Sequence, residues 1–220
     1  MRDDRDIAVQ DVPEELRGGT PAQERKLRAQ GRKTMGKLLD AGSEVFAKRG
    51  YSATRVDDIV KLAKTSHGTF YLYFSNKEDL LKALLHDCVE DMSELAFTLD
   101  DIGPGPEGEA ALREWLGRYQ SMYEDYWPVI HAWSEAEQAG VEFGALGREA
   151  LGQFAALFAD RIRQTNKDER INPDVAGLVF VAMIERFHFF LETRQMGFDA
   201  EDVLDTLARI AHRGIFHVHD

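Results

Sequence analysis

The spacing of apolar residues limits the fold class of this 220-residue chain more than any other feature. From about residue 35 onward, apolar residues recur three and four positions apart, which is the period of a helix with one buried face. No segment alternates apolar and polar residues as a half-buried strand does, and no repeat of solenoid length is visible. The sequence therefore predicts an all-α fold.

The helix starts and stops predict three parts of the chain. Residues 1–22 combine acidic residues with prolines and a Gly-Gly pair, which indicates a disordered or loosely ordered tail. Residues 23–74 hold three helices that form the first domain. Residues 75–220 form the second domain and begin with a linking helix, 75–99. After the helix break in "DDIGPGPEG", four or five longer amphipathic helices are predicted.

Two capping boxes are predicted from the spacing of hydroxyl and acidic residues. Thr54 is followed three positions later by Asp57, which predicts the start of the second helix. Ser75 is followed by Glu78, which predicts the start of the linking helix.

The formal charge of −12 is spread unevenly along the chain. Residues 21–82 contain 13 Lys and Arg against 7 Asp and Glu, whereas residues 83–220 contain 11 against 26. Such an asymmetry indicates that one end of the chain faces a nucleic acid, although solvated helix faces are often charged too.

The composition argues against several classes of protein. A single cysteine, Cys88, excludes an internal disulfide and a multi-cysteine zinc site. No run of about 20 apolar residues and no signal-peptide pattern is present, so we expect a cytoplasmic protein without a membrane partner. No phosphate loop, nucleophile elbow or HExxH motif occurs, and the terminal "HVHD" is poorly spaced for a metal. We therefore expect no enzyme activity, no catalytic residues, no cofactor and no metal.

The two short helices joined by the turn "AKTS" have the spacing of a helix-turn-helix. Such a unit needs an apolar interface, predicted here for Val56, Ile59, Val60 and Ala63 against Phe70 and Phe74. Its second helix would be capped by Ser66 and would enter a major groove with its N-terminal residues toward the base edges. The outward positions of that helix are His67, Gly68, Thr69, Tyr71 and Tyr73.

This segment resembles the tetracycline-repressor (TetR) family of bacterial transcription regulators. The resemblance covers about 47 residues, 38–84, in "LLDAGSEVFAKRGY" and "YSATRVDDIVKLAKTSHGTFYLYFSNKEDLL". It implies a ligand-responsive homodimeric regulator, more often a repressor, that binds a near-palindromic double-stranded DNA operator. The residues that carry the match are Ile59, Ala63, Ser66, Gly68, Thr69, Phe70, Tyr71, Phe74, Lys77, Glu78 and Leu80.

The resemblance and the helix-turn-helix pattern together give a set of candidate DNA contacts. Lys64 stands where the family usually has a turn glycine, so a positive φ there would be strained by about 1 kcal/mol. The alternatives are that Tyr71 and Tyr73 pack against neighbouring helices and that His67 is a neutral surface residue. The candidate DNA-binding residues are Thr54, Lys64, Thr65, Ser66, His67, Thr69, Tyr71, Tyr73 and Lys77.

Aromatic residues at helical spacing dominate the second domain. Stripes of this kind usually form a solid core, but they can also line an apolar cavity between helices. The resemblance implies an inducer pocket in this region, and an aromatic lining suits a small hydrophobic effector such as an acyl chain, a polycyclic molecule or a drug. The candidate pocket residues are Trp115, Tyr119, Tyr123, Trp127, His131, Phe154, Phe158, Met183 and Phe187.

The last two helices carry apolar stripes that the resemblance assigns to a homodimer interface. The alternative is that the last helix closes the core of its own chain. An effector would act by tilting the linking helix and changing the separation of the two recognition helices. A rival function is a DNA-bound protein with a solid core that answers to a protein partner, and a helical-bundle enzyme is a distant third. The stripe residues are Val179, Met183, Phe187, Leu191, Leu204, Leu207, Ala211 and Ile215.

Overall fold

A computed structural model describes residues 29–99, 102–141, 146–194 and 197–216. A short π-helical turn, His212–Phe216, follows the last helix. The described residues contain no strand, and none of their helices is long and apolar enough to cross a bilayer. The predicted all-α class is confirmed. The helices of the described residues are α1 (Ala29–Ala53), α2 (Val56–Leu62), α3 (His67–Tyr71), α4 (Lys77–Phe97), α5 (Pro106–Gln138), α6 (Leu146–Thr165), α7 (Pro173–Arg194) and α8 (Ala200–Ala211).

Two predictions fall on residues that the structure does not describe. The predicted tail, residues 1–22, lies outside the described ranges. The "HVHD" stretch, residues 217–220, also lies outside them. Both therefore stay predictions.

Backbone contacts divide the described residues into two compact units. The first unit contains residues 29–86 and 128–141. Helices α4 and α5 contribute residues to both units. The predicted division by role, with the first domain ending at residue 74, stays a prediction. The second unit contains residues 87–99, 102–127, 146–194 and 197–216.

The first unit is built around the apolar faces of α1, α2, α3 and the start of α4. Helix α1 bends at Gly50, whose φ of 71° lies in the left-handed region that favours glycine. The buried apolar side chains of this unit include Leu38, Val45, Phe46, Tyr51, Ile59, Val60, Phe70, Phe74, Leu80 and Leu81.

In the second unit, α6 and α7 pack against each other along much of their length. Their closest approach is at Gly177 in α7. A Cβ atom on Gly177 would lie 2.4 Å from the carbonyl oxygen of Ala155 and 2.9 Å from the backbone nitrogen of Ala159. Only a residue without a side chain allows the two backbones to come this close.

The N-cap predicted for α2 is wrong by one position. The N-cap is Arg55, and its backbone N–H donates to Oδ2 of Asp58 at 3.3 Å. Thr54 instead packs into the unit, and its Oγ1 donates to the carbonyl of Gly50 at 2.6 Å. The bend in α1 offers this carbonyl to Thr54, a contact that the local capping pattern does not encode.

The N-cap predicted for α4 is also one position too early. The side chain that caps this helix belongs to Asn76, whose Oδ1 accepts from the backbone N–H of Asp79 at 2.8 Å. The carboxylate of Asp79 in turn accepts from the backbone N–H of Ser75 at 3.0 Å. Glu78 accepts a hydrogen bond from the hydroxyl of Tyr51 at 2.6 Å, so a distant residue takes the side chain that was expected to cap the helix.

Candidate nucleic-acid interface and ligand site

The turn between α2 and α3 passes through a left-handed residue, Lys64, with a φ of 53°. Lys64 is the one non-glycine residue with positive φ in the described part of the chain. The backbone N–H of Thr65 closes the turn by donating to the carbonyl of Val60 at 3.0 Å. The strain foreseen at Lys64 is present, because this conformation costs a residue with a side chain about 1–2 kcal/mol.

Ser66 caps α3, as its position after the turn predicted. Its backbone is extended, and its Oγ accepts from the backbone N–H of Thr69 at 3.1 Å. The hydroxyls of Ser66 and Thr69 lie 3.0 Å apart and hydrogen-bond to each other. This cap holds both hydroxyl groups at the start of α3.

The two sides of α3 divide as the helical period predicted. Phe70 and Phe74 are fully buried, and their rings lie 5.7 Å apart. Tyr71 is more than half exposed, whereas Tyr73 is half-buried. Leu72 is 66% exposed, which the sequence interpretation missed because it considered only the polar residues of this helix. An aromatic and aliphatic surface therefore lies beside the polar start of α3.

His67, the first residue of α3, pairs with α2. Its Nε2 lies 2.5 Å from Oδ1 of Asp57, and both side chains are exposed. This pair orients the imidazole. A role for His67 in reading a base stays a prediction.

Gly68 has no structural reason to be glycine. It is exposed, and the nearest atom that a Cβ would meet is Oγ of Ser66, at an ordinary contact distance of 3.7 Å. Glycine inside a helix costs about 1 kcal/mol relative to alanine. Nothing in the described part of the chain offsets this cost.

The predicted DNA contact of Thr54 stays a prediction, although the structure buries this residue. Thr54 is 2% exposed, and its hydroxyl donates a hydrogen bond to the carbonyl of Gly50 inside the first unit. A phosphate cannot reach this side chain without displacing the core around it.

Lys77 has a structural role that the sequence interpretation missed. Its Nζ donates to the carbonyl of Tyr51 at 2.7 Å and to the carbonyl of Thr54 at 3.1 Å. The ammonium also lies 4.2 Å from the centre of the Tyr51 ring. Two of its three N–H donors therefore stabilise the end of α1, where carbonyl groups have no helical partner. A phosphate contact by Lys77 stays a prediction.

Glu135 makes the other unforeseen contact at the end of α1. Its Oε2 accepts from the backbone N–H of Tyr51 at 2.6 Å. A Cβ on Gly50 would lie 2.7 Å from the same oxygen, so the bend in α1 makes room for this carboxylate. Glu135 belongs to α5, and it is 84 residues away from Tyr51 in the sequence. No local pattern could have revealed the contact.

Four of the predicted pocket residues form one aromatic cluster in the second unit. Trp115 stacks on Tyr119 at 5.7 Å between ring centres and meets the edge of Phe158 at 5.3 Å. Phe154 lies 4.9 Å from Phe158. Phe180 extends the cluster at 4.7 Å from Phe158, which the sequence interpretation had not singled out. All five residues are buried.

Two of the other predicted pocket residues extend this cluster, since Tyr123 lies 5.9 Å from Tyr119 and Trp127 lies 6.3 Å from Tyr123 between ring centres. Trp127 meets Phe189 at 5.5 Å between ring centres. Met183 and Phe187 are half-buried on α7. His131 belongs to the first unit, where its Nδ1 lies 3.8 Å from Glu135. Ring contacts therefore link six of the nine residues, and their role as a ligand pocket stays a prediction.

Two polar atoms are buried beside the aromatic cluster without a hydrogen-bond partner, Oη of Tyr123 and Nε2 of His188. Their ring centres lie 5.5 Å apart, and the His188 ring meets the edge of Tyr119 at 5.1 Å. Burial lowers the pKa of His188, so its imidazole is neutral at pH 7. Leaving a buried polar group unpaired costs about 1–3 kcal/mol.

A polar groove in the second unit was not foreseen from the sequence. Its volume is about 1020 Å³, and its lining includes Glu109, Arg113, Arg209 and Arg213. These arginines bind acidic side chains, since Arg209 and Arg213 both pair with Glu109 and Arg113 pairs with Asp205. The described residues hold no group of three or more His, Cys, Asp or Glu side chains placed to bind a metal.

Comparison with known proteins identifies the N-terminal segment. Residues 38–84 match the family described as "Bacterial regulatory proteins, tetR family". The uncharacterized HTH-type transcriptional regulator YvdT of Bacillus subtilis (strain 168) is 35% identical over 94 residues, which are 43% of this chain and 38% of that protein. The chain spans only 38–40% of the length of three curated relatives that it matches.

Solved structures share the fold over most of the chain. A TetR-like transcriptional regulator from Rhodococcus sp. RHA1 has a TM-score of 0.60 and 21% identity, covering 86% of this chain and 100% of that chain. The fatty acid degradation regulator FadR from Bacillus halodurans has a TM-score of 0.62 and 17% identity, covering 88% and 100%. At these identities the likeness concerns the fold, an N-terminal helix-turn-helix unit followed by a helical bundle. Residues 38–84 thus match the tetR family of bacterial regulatory proteins, and the chain shares its fold with a TetR-like regulator.

Proposed function

We propose that this protein is a homodimeric transcription regulator that binds double-stranded DNA through α2 and α3 and releases it when a small hydrophobic effector binds the second unit. A repressor is the simplest form of this function. The observation that carries the DNA-binding part of the proposal is the match of residues 38–84 to a family of regulatory proteins, and Gly68 supports it because an exposed glycine at the start of α3 permits close contact with a surface outside the chain.

The charge of the segment that contains α2 and α3 supports this proposal. Residues 31–77 contain nine Lys and Arg against four Asp and Glu, although the whole chain is acidic. Lys64 and Lys61 are exposed at the turn between the two helices. Positively charged side chains beside a recognition helix contact phosphates and make binding dependent on salt. The remaining candidate contacts, from Ser66 to Tyr73, lie on or next to α3.

The test compares two exposed helical glycines. Gly68→Ala and Gly152→Ala both place a methyl group in open space within the chain, so both should keep or raise the stability of the fold. A DNA site is first obtained by selection of random duplexes on the wild-type protein, and affinity is measured by fluorescence anisotropy. Gly68→Ala should weaken binding about tenfold, which is about 1.4 kcal/mol, whereas Gly152→Ala should not change it. Equal affinities of the two variants would refute the α3 interface.

The proposed homodimer uses an apolar face of α7. Val175, Leu178 and Val179 are 59%, 54% and 51% exposed, and Phe190 continues the same side of the helix. An apolar face of this kind on a soluble protein indicates an interaction surface. A second copy of this chain is the occupant that a near-palindromic operator requires, because two recognition helices must reach two half-sites.

The predicted apolar stripe of α8 is mostly buried, unlike the exposed apolar face of α7. Leu204, Leu207 and Ala211 are buried within their own chain, which fits the alternative that the last helix closes its own core. Ile210 is the exposed apolar residue of α8, at 54%. The proposed interface therefore rests mainly on α7.

Sedimentation analysis tests the dimer. The double substitution Leu178→Asp with Val179→Asp should convert a dimer into monomers, because it places charges in the middle of the proposed contact. Phe97→Asp is the matched control, since Phe97 is 68% exposed but lies on α4. A monomeric wild-type protein, or a dimer that survives the double substitution, would contradict the proposal.

We further propose that α5 carries the effector signal. Tyr119 and Tyr123 lie on its portion in the second unit, and Glu135 lies on its portion in the first unit. Between them is Pro128, which removes a helical hydrogen bond and favours bending. A shift of α5 would move Glu135 away from the backbone N–H of Tyr51 and disturb the bend that precedes α2. Tilting of α4, the predicted linking helix, is compatible with this path.

A second candidate function is a DNA-bound protein that responds to a protein partner. The direct ring contacts among Trp115, Phe154 and Phe158 favour it, because a filled core leaves no room for a ligand without rearrangement. The unpartnered polar atoms of Tyr123 and His188 favour the small-molecule sensor. An effector that lowers operator affinity in a purified two-component assay would decide for the sensor.

A further inference from the structure

The polar atoms of Tyr123 and His188 define a hydrogen-bonding site of one specific kind. Nδ1 of His188 lies 2.6 Å from the carbonyl of Ile184, which can only accept, so Nδ1 carries the proton. Since the imidazole is neutral, Nε2 is then an acceptor with a free lone pair. The neighbouring hydroxyl of Tyr123 has no partner and can donate.

A single hydroxyl group on a ligand would satisfy both atoms at once. Its hydrogen would be donated to Nε2 of His188, and its oxygen would accept from the hydroxyl of Tyr123. A ketone or ester can accept but cannot donate to His188. A carboxylate also lacks the hydrogen, and an ammonium has no lone pair to accept from Tyr123.

The charges around this site oppose an anionic ligand. The negative charges of Glu185 and Glu192 raise the pKa of Tyr123, and that of Glu124 opposes the lowering of the His188 pKa by burial. The nearby cation is Arg186, which is largely exposed, pairs with Glu185 at 3.6 Å and lies over the ring of Phe189. A carboxylate on the ligand would therefore be repelled by these three carboxylates, and Arg186 is already paired with Glu185.

The buried surroundings add an apolar requirement. The rings of Tyr119 and Trp127 flank Tyr123 at 5.9 and 6.3 Å between ring centres. The thiol of Cys88 on α4 is buried and uncharged, because burial raises its pKa to about 12. The neighbours of the polar pair are therefore mainly aromatic, which suits an apolar ligand body.

We propose that Tyr123 and His188 anchor an apolar effector through one uncharged hydroxyl group, so that the effector belongs to the alcohols or phenols and not to the fatty acids. This inference rests on the proposed sensor function and narrows the chemical class of its ligand. It also removes the acyl-chain acids from the hydrophobic effectors that the aromatic sequence pattern allowed.

The test compares three probes of equal chain length, 1-decanol, 2-decanone and decanoate. Binding to the wild-type protein is followed by tryptophan fluorescence, because Trp127 and Trp115 lie within this aromatic region. We expect 1-decanol to bind at least about tenfold more tightly than either of the other two probes. Equal binding of all three probes, a preference for decanoate, or no binding of 1-decanol up to its solubility limit would overturn the inference.

Two variants separate the roles of the polar pair. His188→Phe should lose most of the preference for 1-decanol over 2-decanone, whereas Tyr123→Phe should weaken the binding of both probes and keep the preference, because both probes accept from the Tyr123 hydroxyl. Tyr126→Phe is the matched control, since its hydroxyl donates to Asp91 at 2.5 Å, and it should keep the preference. Tyr123→Phe should also leave the melting temperature unchanged or raise it, because it removes a buried group without a partner. A lower melting temperature with an unchanged affinity for both probes would mean that the hydroxyl has only a structural role.

Operator affinity is measured on the same variants. A failure of the hydroxyl preference with intact DNA binding would overturn the inference and leave the proposed regulator standing. If the wild-type protein binds no DNA, the proposed function fails instead, whatever the outcome with the probes.

Discussion

The turn region around α3 and the aromatic region around Tyr123 treat their polar groups in opposite ways. In the turn region, Ser66 bonds to Thr69 and His67 pairs with Asp57, so neighbours in the sequence satisfy one another. In the aromatic region, Tyr123 and His188 are buried without a partner for one polar atom each. In the turn region, residues close in sequence supply the hydrogen-bond partners. In the aromatic region, the partners of the two unpaired atoms would have to come from outside the chain.

The features that cost stability also lie at different depths in the two regions. Those of the turn region are on the surface, where Lys64 has a left-handed backbone and Gly68 weakens a helix. Those of the aromatic region are in the core. Surface features of this kind suit contact with a large partner such as a duplex, and buried ones suit a small molecule. The predictions below test this contrast, from the largest expected effect to the smallest.

Loss of a ring from the aromatic region should have the largest effect. Phe158 contacts Trp115, Phe154 and Phe180, so Phe158→Ala should lower the free energy of unfolding by about 3–5 kcal/mol. Guanidinium denaturation followed by circular dichroism measures the change. The control Phe97→Ala, at an exposed ring, should change it by less than about 0.5 kcal/mol. A loss below about 1 kcal/mol at Phe158 would show that the region is loosely packed.

Loss of the Glu135 carboxylate should have the next largest effect. Glu135→Ala leaves the backbone N–H of Tyr51 without its acceptor and should cost about 1–3 kcal/mol of stability. Glu135→Gln keeps an acceptor oxygen and should cost less, and Glu137→Ala, at an exposed neighbour, serves as the control. Thermal and chemical denaturation give the values. Equal effects at Glu135 and Glu137 would mean that this contact does not stabilise the first unit.

Acidification should weaken the aromatic region through His188. Its folded pKa lies below the ordinary value of 6.5, so below pH 6.5 the unfolded chain binds a proton that the folded chain does not. The free energy of unfolding should therefore fall with decreasing pH, by up to about 1.4 kcal/mol per pH unit. Burial raises the pKa of Glu185 from 4.5, which acts in the opposite direction at lower pH.

A comparison with His188→Phe isolates the contribution of His188 to the pH dependence of the free energy of unfolding. Stability is measured between pH 5 and 7.5 for both proteins, and the difference between their pH slopes belongs to His188. If the two slopes coincide, the imidazole is not held neutral in the folded state.

Relief of strain in the turn should have the smallest effect. Lys64→Gly removes the left-handed strain of about 1–2 kcal/mol, but glycine adds unfolded-state entropy of about 0.5–1 kcal/mol, so a net gain of up to about 1 kcal/mol is expected. Lys64→Ala keeps the Cβ and should show no gain. Differential scanning calorimetry measures both. A loss of stability in Lys64→Gly would indicate that the Lys64 side chain itself supports the turn.

Much of the turn region could be predicted from the sequence. The helical period placed Phe70 and Phe74 inside, the hydroxyl after the turn identified Ser66 as a cap, and the resemblance pointed to backbone strain at Lys64. These features depend on residues within about ten positions of one another, which is the distance over which local patterns carry information.

Where the predictions failed, a contact outside the capping pattern engages the group concerned. The hydroxyl of Thr54 donates to the carbonyl of Gly50, four positions earlier, and the carboxylate of Glu78 accepts from Tyr51, 27 positions away. Lys77, expected at a phosphate, donates to carbonyls at the end of α1. Each contact requires the bend in α1, which sequence spacing alone does not position.

By itself, the sequence determined that the chain is helical, where its helix-turn-helix segment lies and which aromatic residues it contains. Periodicity and capping are local, so they survive without knowledge of the rest of the molecule. Only the tertiary structure decided that Glu135 binds the backbone of Tyr51 and that Tyr123 and His188 are buried together without partners. Such contacts join residues tens of positions apart, and the packing of whole helices, not their local sequence, determines which polar groups lose water and which find a partner.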